Sequence, residues 1–178
     1  MPLTGDSRKL TLLARIKSNC PVALKANIRI EGGGSGIIVG NASECTLTTI
    51  GNDRAGRLIG ITAGHCGGAG ATIVPEYDPS AGVVGRIAFS NPEYDYAVIE
   101  FDRAKVIPVN RIGNVSITQL GPPALFPNIV CKEGRTTGNT CGVAYGDVLQ
   151  SQETWSQLCV VEGDSGSPVV VGTTLVGM

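Results

Sequence analysis

At 178 residues the chain has the length of one domain or of two small lobes sharing a core, and 14 Lys and Arg against 15 Asp and Glu leave it almost neutral. No polybasic run recurs along it, which argues against a nucleic-acid partner, and no apolar run approaches the roughly 20 residues of a bilayer-spanning helix, which argues against membrane insertion. Its 25 Gly and 10 Pro, set between short Val- and Ile-rich runs, point to strands and turns with little helix.

In chain order, the opening MPLTGDSRKLTLLARIK carries neither a continuous apolar core nor a small-residue cleavage site, so no export signal is legible in it. ANIRI and GIIVG read as strands joined by EGGGSG, a flexible turn or linker. That glycine run lacks the Lys-Ser/Thr of a phosphate loop and the spacing of a dinucleotide fingerprint. CTLTTI and LIGITAGHC are rich in β-branched residues and flank the turn-forming GNDRAGR, predicting a hairpin whose second strand delivers His65 and Cys66 at its end. ATIVPEY, GVVGRIAFS, YAVIEF, IVCKEGR, GVAYGDVL and SPVVVGTTLVGM follow as further strands spaced by turns. The expected class is all-β, a sandwich or a barrel, with no sustained helical period after about residue 20 and no internal repeat.

The chemistry starts from scarce residues. Six cysteines without a C-x-x-C pair, beside a single histidine, do not assemble the usual zinc sites, so disulfides in an oxidising compartment are expected, with no metal and no cofactor. Any side-chain histidine catalysis must come from His65. An aspartate that orients it belongs beside an apolar strand, where Asp95 in EYDYAVIEF sits, whereas Asp53, Asp78, Asp102 and Asp147 fall in polar turns. The stretch VVEGDSGSPVVV reads most simply as a hairpin turn, but Gly163 and Ser165 in it also supply a nucleophile with two backbone N–H groups for an oxyanion. An α/β-hydrolase elbow would need glycine at Ser167.

Taken in order, TAGHC, DYAVI and GDSGSP resemble the chymotrypsin-like serine peptidases, from about Gly36 to Met178, and VCKEGRTTGNTCG resembles a disulfide-closed loop of the secreted bacterial streptogrisin and α-lytic branch. The resemblance implies an all-β double barrel of chymotrypsin type with the active site between the barrels. It implies a secreted, monomeric endopeptidase acting on polypeptide, with His65, Asp95 and Ser165 as catalytic triad. It pairs Cys45 with Cys66 and Cys131 with Cys141, and gives Asp164 a buried cation, here Arg135 rather than a newly cut N-terminus. Cys159, six residues before Ser165, falls at the base of the primary pocket where trypsin-like members carry aspartate, so cleavage after Lys or Arg is not expected.

The same resemblance calls for a substrate-binding strand, a cysteine partner for Cys159 and a closing strand after TTLVGM, where the sequence stops. Residues 32–178 would form the protease-like part, with a first barrel over about 36–110, a second, incomplete one over about 111–178, and residues 1–31 as an extension. In one account the chain is truncated, Cys20 and Cys159 are strays, and the domain is inactive for want of its substrate strand. In the other it is permuted, residues 1–31 supply the missing end, EGGGSG joins the old termini, and Cys20 pairs with Cys159. Truncation is preferred, because residues 1–31 contain no Ser-Gly-Gly-like run.

Overall fold

The computed structural model describes residues 32–151 and 153–178. Seven strands form the first sheet: β1 (Gly36–Val39), β2 (Ser43–Thr46), β3 (Thr49–Asn52), β4 (Leu58–Ala63), β5 (Thr72–Pro75), β6 (Gly85–Asn91) and β7 (Tyr96–Phe101). Short pieces follow at β8 (Arg111–Ile112), β9 (Val115–Ser116) and β10 (Gln119–Leu120). The second sheet then gains β11 (Ile129–Gly134), β12 (Gly138–Gly146), β13 (Trp155–Ser156), β14 (Val169–Val171) and β15 (Thr174–Gly177). Among the described residues the helical segments are two three-residue 3-10 turns.

Alternation decides which face each strand buries. In β7, Ala97, Ile99 and Phe101 point inward, and in β1 Ile37 and Val39 do so; these join Leu47, Leu58, Ile73 and Ile87 in one apolar core. The sheet runs β2-β1-β5-β6-β7-β4-β3, so β4, which leads to His65, is held between β3 and β7. The β3–β4 hairpin pairs Asn52 with Leu58, and Asp53 closes its turn by accepting from the Ala55 and Arg57 N–H groups at 2.9 and 2.8 Å. A second core forms from Ala124, Val130, Ala144, Leu158, Val169 and Val176 on the sheet ordered β10-β15-β14-β11-β12-β13. Two curled sheets, antiparallel but for one short pairing in the second, each on its own core, make the chymotrypsin-like double barrel.

Several expectations change here. The outer edge of β15 is not left open: β10 lies parallel to it, with Gln119 opposite Thr174 and Leu120 opposite Leu175. The glycine run is no floppy connector over its described part, since Gly32 to Ser35 are buried and a Cβ on Gly33 would collide with the Thr48 carbonyl. Cys159, a free thiol in the truncation account, is disulfide-bonded. Its expected partner Cys20, like the strand ANIRI and the whole proposed extension 1–31, lies outside the described residues.

The sheets are joined by buried threonines just after Cys45. Thr46 N–H donates to Ser165 O at 2.8 Å, Thr46 Oγ1 to Gly163 O at 2.9 Å and Thr48 Oγ1 to Gly166 O at 2.7 Å. The first sheet therefore grips the backbone of the GDSG turn that the second sheet carries.

Candidate active site

His65 follows β4 in the 3-10 turn Gly64–Cys66, whose position is pinned by the disulfide from Cys66 to Cys45 on β2. Asp95 precedes β7, the neighbour of β4 in the sheet, so hydrogen bonding between the two strands sets the distance between the residues. The His65 backbone N–H donates to Asp95 Oδ1 at 2.8 Å, and the ring Nδ1 lies 3.0 Å from each carboxylate oxygen. Asp95 adopts φ 50, a left-handed conformation that aspartate tolerates better than most residues. On the other side of the ring, Nε2 lies 2.8 Å from Ser165 Oγ. With Nδ1 bonded to a carboxylate, the tautomer favoured there carries its proton on Nδ1 and leaves Nε2 free to accept from the serine.

Ser165 sits in a turn whose shape depends on two glycines. Gly163 has φ +92 and Gly166 φ +84, and at Gly166 a Cβ would drive into Thr46 O and Thr62 Oγ1. Gly166→Ala is expected to lower stability by about 3 kcal/mol, from the left-handed conformation and the overpacking together. A urea midpoint unchanged from that of the parent would contradict this packing.

Asp164 is almost wholly buried behind the turn, and its cation is not the expected one. Lys132, on an inward position of β11 and 0 % exposed, places Nζ 3.3 Å from Asp164 Oδ2. Asp164 Oδ1 accepts from the Thr136 and Thr137 N–H groups at 3.0 and 3.1 Å, and Oδ2 from Thr137 Oγ1 at 2.6 Å and Val161 N–H at 3.2 Å. Lys132 also donates to Gly138 O at 3.0 Å and to Thr137 Oγ1. Burial pulls the Lys132 ammonium below the usual lysine range, and the Asp164 charge opposes that shift.

Arg135 turns the other way. Its Nε lies 2.5 Å from Glu76 Oε2, one terminal nitrogen bonds Glu76 Oε1, and the other lies 2.8 Å from Glu44 Oε2. Two carboxylates in bonding reach hold it better than a longer approach to an Asp164 already saturated with donors. These bonds to Glu76, against some desolvation, keep the guanidinium firmly protonated.

Sequence reasoning did not find Lys132, Thr46, Thr48, Thr137 or Glu76. One signal was present for Lys132: Val130, Lys132 and Gly134 share the inward face of IVCKEG, which puts a lysine where an apolar residue belongs. The second disulfide, Cys131–Cys141, crosses β11 and β12 at directly opposed positions.

No family model matches the chain, and no curated protein does. Solved structures do match. Protease A of Thermobifida fusca has 29% identity and a TM-score of 0.63, with 81% of this chain and 79% of that one covered. The chymotrypsin of Cellulomonas bogoriensis has 29% identity and a TM-score of 0.61 over the same shares. An α-lytic protease homologue, N4, has 26% identity and a TM-score of 0.62, covering 83% and 84%. The chain thus has the fold of these bacterial chymotrypsin-like serine proteases and is similar to them over some four-fifths of each chain.

Proposed function

We propose that the chain is a secreted serine endopeptidase in which His65, Asp95 and Ser165 act as the triad. The observation that carries this reading is one ring placed between two partners: His65 Nε2 2.8 Å from Ser165 Oγ, and Nδ1 3.0 Å from both Asp95 oxygens. Nε2 takes the hydroxyl proton as Oγ attacks the peptide carbonyl, and Asp95 holds the tautomer and stabilises the imidazolium that results. The oxyanion that forms is held by the N–H groups of Gly163 and Ser165, neither of which is bonded to a backbone acceptor among the described residues. His65 then hands the proton to the departing amine, leaving an acyl-enzyme that water cleaves by the same steps in reverse.

Secretion is supported by the Cys45–Cys66 and Cys131–Cys141 disulfides, which persist in oxidising compartments. Asp95→Asn tests the triad without disturbing packing: the amide favours the wrong tautomer, and kcat on casein or on a p-nitrophenyl ester is expected to fall on the order of 10⁴-fold. Hydrolysis retained within about tenfold of the parent would remove Asp95 from the mechanism.

A further inference from the structure

Beside the nucleophile lies a cleft of about 460 Å³ that runs from Ser165 and His65 to Glu44, Arg135 and Glu162. Its charge is unbalanced. The Arg135 guanidinium is already gripped through Nε and a terminal nitrogen by Glu76, whose side chain is only 10% exposed. Glu44, 55% exposed, meets Arg135 with one oxygen and faces solvent with the rest. Glu162 is exposed and enters no ion pair among the described residues. Two carboxylates, Glu76 and Glu44, thus hold the one guanidinium while a third, Glu162, lines the same cleft, and the two that a ligand can reach are Glu44 and Glu162.

We propose that this cleft binds a cationic residue of the substrate on the leaving-group side of the scissile bond, through Glu44 and Glu162, an inference that rests on the triad reading above. The side follows from the proton path. His65 must protonate the departing amine, so that amine leaves past the imidazole, and His65 with its neighbour Cys66 forms the wall of this cleft. An Lys or Arg side chain just after the cleaved bond then extends toward Glu44 and Glu162, while an acidic one meets two like charges.

Acyl transfer tests this without knowledge of the acyl-side preference. A p-nitrophenyl ester acylates Ser165 and releases p-nitrophenol; an added amino-acid amide then attacks the acyl carbonyl through its amine, forming an amide bond. Ser165 Oγ departs and regains a proton through His65, which has taken one from the attacking amine. Argininamide, glutaminamide and glutamic acid α-amide compete with water for the same acyl-enzyme. Argininamide is expected to partition into product about tenfold better than glutamic acid α-amide at low salt, with glutaminamide between them and the spread shrinking at 1 M salt, where the screening length is about 3 Å. In the double variant Glu44→Gln, Glu162→Gln the three amides should partition alike. Equal partitioning in the parent, or a ratio unchanged in the double variant, overturns the cleft assignment and leaves the triad standing. Failure of the ester to acylate the protein overturns both.

Discussion

Ser165→Ala is expected to lower kcat for peptide and ester hydrolysis on the order of a million-fold and to leave the fold as stable as the parent. The side chain is small and half-buried, and its hydroxyl bonds His65 Nε2. What holds the turn is backbone: Ser165 O accepts from Thr46 N–H, and Asp164 keeps its own donors. Removing Oγ therefore takes away the proposed nucleophile without opening a cavity in either core. Residual rates should still exceed those in water, because the Gly163 and Ser165 N–H groups remain in place. Kinetics on a p-nitrophenyl ester together with a urea denaturation curve check both halves. Activity within about a hundredfold of the parent would show that another group attacks.

Lys132→Met is expected to be the most damaging single change away from the triad, at about 3–5 kcal/mol of stability. It strips the countercharge from an almost wholly buried carboxylate, and it leaves the Gly138 carbonyl without its 3.0 Å donor. Since Asp164 ties the turn that carries Ser165 to Val161 before it and to Thr136 and Thr137 in the loop between β11 and β12, the loss should extend to turnover. Adding Asp164→Asn to Lys132→Met should restore part of the stability, because the amide needs no countercharge. Denaturation midpoints of the single and double variants check this, and a loss below about 1 kcal/mol for the single variant would contradict a buried pair. The lowered Lys132 pKa also carries a sign: between its depressed value and the usual lysine range the unfolded chain binds more protons, so this group's contribution to stability rises with pH there.

The sequence exposes the parts of this site that are local. His65, Asp95 and Ser165 each stand at a strand end or turn whose composition marks it, and the structure brings all three within hydrogen-bond reach. Asp53 announces its turn for the same reason, since an aspartate before a Gly-containing loop binds its own backbone. What it conceals is long-range. Thr46 and Thr48 look like ordinary strand residues, and their hold on the turn spans more than a hundred positions of chain. Likeness to a family assigns Asp164 an arginine, Arg135, in a role that the register of β11 gives to Lys132, three positions earlier in the chain. Arg135, so released, binds Glu76 on the neighbouring lobe. The covering of β15 by β10 was hidden too, because two residues in parallel pairing leave no periodicity to read.

Treatment with a biotinylated fluorophosphonate, followed by peptide mapping, tests the central claim most directly, because only a serine with an activated hydroxyl displaces the fluoride. The account predicts one label per chain, on Ser165, blocked by prior incubation with a p-nitrophenyl phosphonate and lost in His65→Ala, where no base remains to take the proton. A protein that stays unlabelled at neutral pH, or that carries the label on another residue, would contradict it.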